Sequence, residues 1–170
     1  MAITAALSKT CYAYSGGVER LYLCDKASVT SMTLTSEQYT AITMSSSNVF
    51  YEYEFEDNTC KATWDIDGSE GKSTSVKAMI EFFIEGLSNT NRTAISSLMA
   101  SSPCGIIAIV VDTTGTKWVF GYGERSKKAM KMTKGTATTG AKVDEQQGQT
   151  ITLENITPEQ PRVYTGTVPV

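Results

Sequence analysis

The residues that could do chemistry lack the partner most protein chemistry needs, because the 170-residue sequence contains no histidine. Without imidazole there is neither the usual general acid–base near pH 7 nor the commonest metal ligand. Ser-His-Asp triads, zincin sites and His-bearing zinc fingers are excluded. Carboxylates are plentiful: Glu52, Glu54, Glu56, Asp65, Asp67, Glu81 and Glu85 fall in one stretch. A pair could hydrolyse a glycoside if an apolar pocket raised the pKa of one. No local pocket is encoded, and Lys61, Thr63 and Lys77 share their faces, as on a solvated sheet. Cys11, Cys24, Cys60 and Cys104 have no activating base and no zinc-type C-x2-C or C-x4-C spacing. Gly68-Ser-Glu-Gly71-Lys72-Ser73 has two residues between its glycines where a phosphate loop has four, and a strand pattern follows. Gly121-Tyr-Gly123 is too short for a dinucleotide fingerprint. No catalytic, cofactor-binding or metal-binding residue is assigned, no cofactor is expected, and the chain reads as a non-enzyme.

The remaining charge points to surfaces. A net charge of -3 argues against a protein that grips nucleic acid by counterion release. The one basic cluster, Arg125, Lys127, Lys128, Lys131 and Lys134, reads as a solvated loop or lysine-blunted edge strand, or as a contact for an acidic partner. Thr and Ser number 24 and 17, a composition that favours strands and turns. Cys60 and Cys104 read as small buried hydrophobes, and free thiols fit a reducing compartment. The first residues have no basic and apolar signal pattern, and the longest apolar run, Ile106–Val111, is too short for a membrane span, so no membrane anchor is expected.

These residues must be carried by strands. Residues 1–17 read as an N-terminal arm, and Val18–Cys24 as the first strand. Residues 25–48 read as an extended loop with short strand pieces, one near Ile42. Val49, Tyr51, Tyr53 and Phe55 alternate with Phe50, Glu52, Glu54 and Glu56, an apolar against a largely acidic face. Cys60, Ala62, Trp64 and Ile66 then alternate with Thr59, Lys61, Thr63 and Asp65. Val76, Ala78, Ile80, Phe82 and Ile84 alternate with Lys77, Met79, Glu81, Phe83 and Glu85. Helical spacing competes in that last run, but the alternation is longer, and the three runs predict a meander. Residues 90–101 predict one helix, capped by Asn91, with Ala94, Ile95, Leu98 and Met99 as its apolar stripe. Ile106–Val111, apolar on both sides, predicts a central strand. A turn at Asp112–Gly115 returns it as a partner placing Trp118, Phe120 and Tyr122 on one face, with the tryptophans as core residues. Residues 125–147 predict an extended loop or hairpin, Gly148–Asn155 a last core strand, and 157–170 an extended tail outside the sheets. The fold class is mainly β: an antiparallel β-sandwich or partly closed β-barrel with one flanking α-helix, a single domain over 18–156.

The segment Ile106-Ile-Ala-Ile-Val-Val-Asp-Thr-Thr-Gly-Thr-Lys-Trp-Val-Phe-Gly-Tyr-Gly123 resembles a hairpin of small phage virion proteins, tail tube proteins above all. Lys131-Met-Thr-Lys-Gly-Thr-Ala-Thr-Thr-Gly140 and Gly148-Gln-Thr-Ile-Thr-Leu-Glu154 are similar to the family's Gly/Thr-rich loop and final strand. The resemblance covers residues 48–156 and rests on hydrophobic pattern and turn chemistry. It implies a virion structural protein, made in the bacterial host cytoplasm and located in the virion tail. Six copies would join sheets into a ring with a continuous inner barrel. Rings would stack into a tube, with other tail proteins as partners, and DNA would pass without specific binding. Glu52, Glu54, Glu56, Asp65, Asp67, Glu81 and Glu85 then become candidate lumen residues, an acidic wall that repels phosphate. Arg125, Lys127, Lys128, Lys131 and Lys134 become a candidate inter-subunit basic loop. A tail terminator, a head–tail joining protein, a capsid decoration protein and a carbohydrate-binding adhesin domain remain alternatives.

Overall fold

A strand built from Ile106–Val111 has no polar side to turn to water, so it needs a layer on each face. In the computed structural model, which describes residues 16–68, 70 and 73–170, all six of these residues are buried in strand β7 (Ile106–Asp112). It pairs antiparallel with β1 (Val18–Asp25) and β8 (Lys117–Phe120). With β2 (Val29–Thr35), β3 (Gln38–Met44), β4 (Tyr51–Glu52) and β11 (Arg162–Tyr164) they form a seven-stranded sheet, ordered β2-β3-β11-β8-β7-β1-β4. A second sheet holds β5 (Lys61–Asp67), β6 (Ser75–Glu85), β10 (Gly148–Thr157) and β9 (Lys131–Thr138), in that order.

Alternation along β7 divides the interior in two. Ile106, Ala108 and Val110 join Leu21, Leu23 and Phe120 in a core against Ala78, Ile80, Phe82, Ile151 and Leu153 of the second sheet. Ile107, Ile109 and Val111 join Tyr22, Cys24 and Val119 in another core, which Val29, Met32, Tyr39 and Tyr164 cover as the larger sheet rolls over itself. The one α-helix among the described residues, α1 (Asn89–Ser101), buries Ile95 and Leu98 at the side of the first core. The protein is therefore mainly β, two sheets and a flanking helix, with no closed barrel among the described residues.

The central strand, its hairpin, the eleven-residue β6 and the helix stand as the sequence predicts. Trp64 and Trp118 pack on each other at 5.2 Å between ring centroids, against the first core. Several local expectations are corrected. The strand piece expected near Ile42 is β3, but residues 25–48 otherwise form a one-turn 3-10 helix and the β2–β3 hairpin rather than an extended loop. Within residues 49–56 only Tyr51–Glu52 is strand, and it joins β1 of the other sheet, so the meander has no first member. Its faces are also reversed at the start: Phe50 is buried and Tyr51 is 67% exposed. Ser88, not Asn91, caps α1; the Asn91 amide instead donates to the carbonyls of Glu85 and Gly86. Ala94 and Met99 are exposed, so the helix stripe is Ile95 and Leu98 alone. A break at Gly121, φ +82°, sends Tyr122 to the second core, edge-on to Tyr39, away from Trp118 and Phe120. Cys104 is exposed. The expected tail enters the larger sheet through β11 and buries Tyr164 and Val168, while Arg162 pairs with Glu37 and Glu159. Its β11–β3 contact is the one parallel pairing among the described strands. The expected arm at 1–17 lies almost wholly outside the described residues, as does Cys11.

Asp112 holds the β7–β8 hairpin. Its Oδ1 accepts from Thr114 N and Thr116 N, both at 2.9 Å, and its Oδ2 accepts from Trp118 Nε1 at 3.0 Å. Burial alone would raise its pKa, but hydrogen bonds from the Thr114 hydroxyl, the Trp118 indole and two backbone N–H groups outweigh it and hold the carboxyl below its ordinary value. A depressed folded pKa stabilises above the unfolded value of about 3.9, and that stabilisation is lost as pH falls through the folded value. Asp112→Ala is expected to cost about 2 kcal/mol at neutral pH. The gap from the parent protein should narrow on acidification below about pH 4. Thermal unfolding across pH checks this, and a gap unchanged in acid would contradict it.

Candidate functional site

The outer face of the four-stranded sheet is built by strand alternation. With Ile80, Phe82, Ile151 and Leu153 turned to the core, their neighbours in sequence must face outward. Register then draws rows across the sheet. Lys61, Glu81, Thr152 and Lys134 form one; Thr63, Met79, Glu154 and Lys131 the next; Asp65, Lys77 and Ile156 a third. Asp67 and Glu85 continue the face at opposite ends. Lys77 Nζ lies 3.2 Å from Glu154 Oε1, and the Thr152 hydroxyl donates to Glu81 Oε2 at 3.3 Å. The face thus carries five carboxylates (Asp65, Asp67, Glu81, Glu85, Glu154) and four lysines (Lys61, Lys77, Lys131, Lys134), a net of -1.

The seven acids singled out in the sequence do not share one wall. Asp65, Asp67, Glu81 and Glu85 lie on this face. Glu52 sits on β4 of the other sheet, 3.9 Å from Arg20, and Glu54 is exposed on the segment crossing between the sheets. Glu56 ends that crossing, where its N–H donates to Phe83 O. A hydrogen bond with the Glu85 carboxyl raises the pKa of Glu56, with charge repulsion from Glu85 adding to it. The alternation of β6 and β10 places Lys77 and Glu154 on the polar side in the sequence as well; their pairing with each other is what only the strand register supplies.

The basic residues also divide. Arg125, Lys127 and Lys128 precede β9, with Lys127 Nζ 5.6 Å from the centre of the Tyr122 ring. Lys131 and Lys134 stand on β9 itself, the edge-strand alternative of the sequence reading rather than the loop. At the opposite edge lies β5, so both long edges of this sheet are open among the described residues.

Of the free cysteines among the described residues, Cys24 and Cys60 are buried and Cys104 is exposed. Burial pushes the Cys24 and Cys60 thiols up to about 12, far from the reactive thiolate. A groove of about 640 Å3 between α1 and the segment Asn48–Glu54 includes Cys24, but the Asp25 carboxylate beside it raises the thiol pKa further rather than activating it. No helix among the described residues is long and apolar enough to cross a membrane. Compared with protein-family models, with curated proteins and with solved structures, the chain matches none.

Proposed function

We propose that this chain is a virion structural protein, the tail tube subunit of a phage, which assembles as six-membered rings stacked around a DNA-conducting channel. The observation that carries the reading is the four-stranded sheet. It has one face packed on a core, one hydrophilic face, and two long edges without strand partners among the described residues. An isolated sheet normally shortens or covers such edges, because unpaired backbone groups invite another strand. Joining copies edge to edge closes them all and yields a barrel lined by the hydrophilic face. The resemblance of residues 48–156 to tail tube proteins supports the same reading. The charges of that face are mixed, with a net of -1 and Lys77 paired to Glu154. They offer DNA no concentrated positive surface, and threonines fill the intervals.

The test is negative-stain microscopy and analytical ultracentrifugation of the purified chain at high concentration. Stacked rings or tubes with a central channel are the expected result. Isolated rings that do not stack would move the protein to a terminator or head–tail joining role. A strict monomer that binds glycans would overturn the virion reading.

A further inference from the structure

We propose that β9 of one copy pairs antiparallel with β5 of the next, in the register that sets Lys134 beside Asp65 and Lys131 near Asp67. The inference rests on the ring reading and names the junction that builds the ring. The sense of the strands comes first. Every neighbour in the sheet is antiparallel, so β5 and β10 run one way and β6 and β9 the other. A rotation that continues the sheet therefore places β9 against an oppositely directed β5. Pairing like edges by a two-fold axis would instead gather the four lysines of two β9 strands at one junction, or, with β5 against β5, set Asp67 opposite Lys61 and leave every β9 edge open. Only the head-to-tail junction pairs both open edges while bringing lysines beside aspartates, and it closes into rings rather than dimers.

Full overlap of the two strands selects the register. Lys134, Thr136 and Thr138 then oppose Asp65, Thr63 and Lys61 on the hydrophilic face, with no like charges opposed. On the core face Gly135 meets Trp64, small against large, and Ala137 meets Ala62. The bulge that β9 already shows against Thr152 and Leu153 brings Lys131 and Lys134 to the same face. Above it the Met132 N–H donates to the Ser102 hydroxyl at 2.8 Å, which ends the backbone ladder there. Met132 still approaches Ile66, which is 54% exposed in the single chain.

The offset agrees with what a closed barrel needs. Within one copy Lys131 stands level with Thr63, and Lys134 with Lys61. At the junction they meet Asp67 and Asp65, an advance of about four residues along β5 for each four-stranded copy. Shear then equals strand number whatever the number of copies. That is the ratio of the eight-stranded barrel with shear 8, whose strands tilt about 36°, within the range closure requires. The hand agrees as well. The Phe83 carbonyl accepts from Glu56 N on the β5 side, and Gly86 N donates to Gln147 O on the β10 side. For L-residues this puts β5 at the left when the hydrophilic face is viewed with β5 running upward. An offset that climbs along β5 then follows the right-handed strand twist only with the hydrophilic face toward the ring axis.

The test is a cysteine pair, Thr63→Cys with Thr136→Cys, in a chain whose Cys11 and Cys104 are replaced by serine. These positions face each other as a non-hydrogen-bonded pair, with Cα atoms about 4.5 Å apart, a spacing a disulfide spans. Oxidation should give a ladder of covalent multimers ending at the ring's copy number, while Thr63→Cys alone should stay monomeric on a non-reducing gel. Lys131→Glu with Lys134→Glu should weaken assembly about tenfold or more. Adding Asp65→Lys and Asp67→Lys to the same chain should restore it. Rings that form without cross-linking, or that ignore the charge reversals, overturn the junction and leave the ring reading intact. Absence of any oligomer in the parent chain overturns both.

Discussion

Alanine at position 121 is expected to lower stability by about 3 kcal/mol, combining backbone strain with overpacking. Gly121 has φ +82°, where a β-carbon is strained, and that carbon would stand 2.6 Å from Ile106 O and 2.9 Å from Met130 N. Those two atoms belong to the bridge in which Ile106 and Met130 exchange backbone hydrogen bonds, each at 2.9 Å. The bridge ties the start of β7 to the chain entering β9, so neither side can retreat without breaking it. The melting temperature should fall by roughly 10 °C. Gly115 supplies the comparison. Its φ is +83°, but a β-carbon there would have nothing within 4 Å. Gly115→Ala should cost only the conformational part, about 1 kcal/mol. Equal losses at the two positions would show that the close approach at Gly121 is not what matters.

Phe82→Ala is expected to cost about 3–5 kcal/mol, a large share of the roughly 5–15 kcal/mol that holds most domains folded. Phe82 is fully buried in the core between the sheets, opposite Ile151 across the β6–β10 ladder. Its ring lies edge-on to Tyr53, with centroids 6.3 Å apart. Tyr53 belongs to the segment crossing from one sheet to the other, and its hydroxyl donates to Ala94 O of α1. Removing the ring therefore opens a cavity where both sheets, the crossing and the helix meet. Phe83, the next residue, lies half-buried on the hydrophilic face, and Phe83→Ala should cost about 1 kcal/mol. Chemical denaturation of both variants checks the assignment of faces. A larger loss at Phe83 would mean that the faces of β6 are inverted.

That contrast is legible in the sequence alone. The strict alternation from Val76 to Ile84 outweighs a competing helical spacing, and the apolar run from Ile106 to Val111 fits only a strand with two covered faces. Asp112–Gly115 carries its turn chemistry openly. Less visible are elements whose residues do not alternate cleanly. The Thr-rich stretch 29–44 reads as loop because few of its side chains are large and apolar, yet Val29, Met32 and Tyr39 suffice to bury a hairpin against the second core. β9 hides for the same reason, with only Met132 partly covered against the first core, and β11 hides behind two prolines. The acidic stretch 50–56 misleads in the opposite direction. Its alternation is real, but the segment leaves one sheet for the other after two paired residues, and Phe50 rather than Tyr51 finds the interior.

The fold class, the helix, the central hairpin, the buried side of β6 and the lack of histidine chemistry are all written in the chain's local order. Each follows from neighbours a few residues apart, through side-chain alternation, capping and turn geometry. Which strands are partners and which are edges emerges only in three dimensions, because pairing joins residues far apart in the chain. That pairing divides the seven acids between two sheets and a crossing. It also sets lysines on one open edge of the smaller sheet and aspartates on the other, the arrangement from which an assembly can be read.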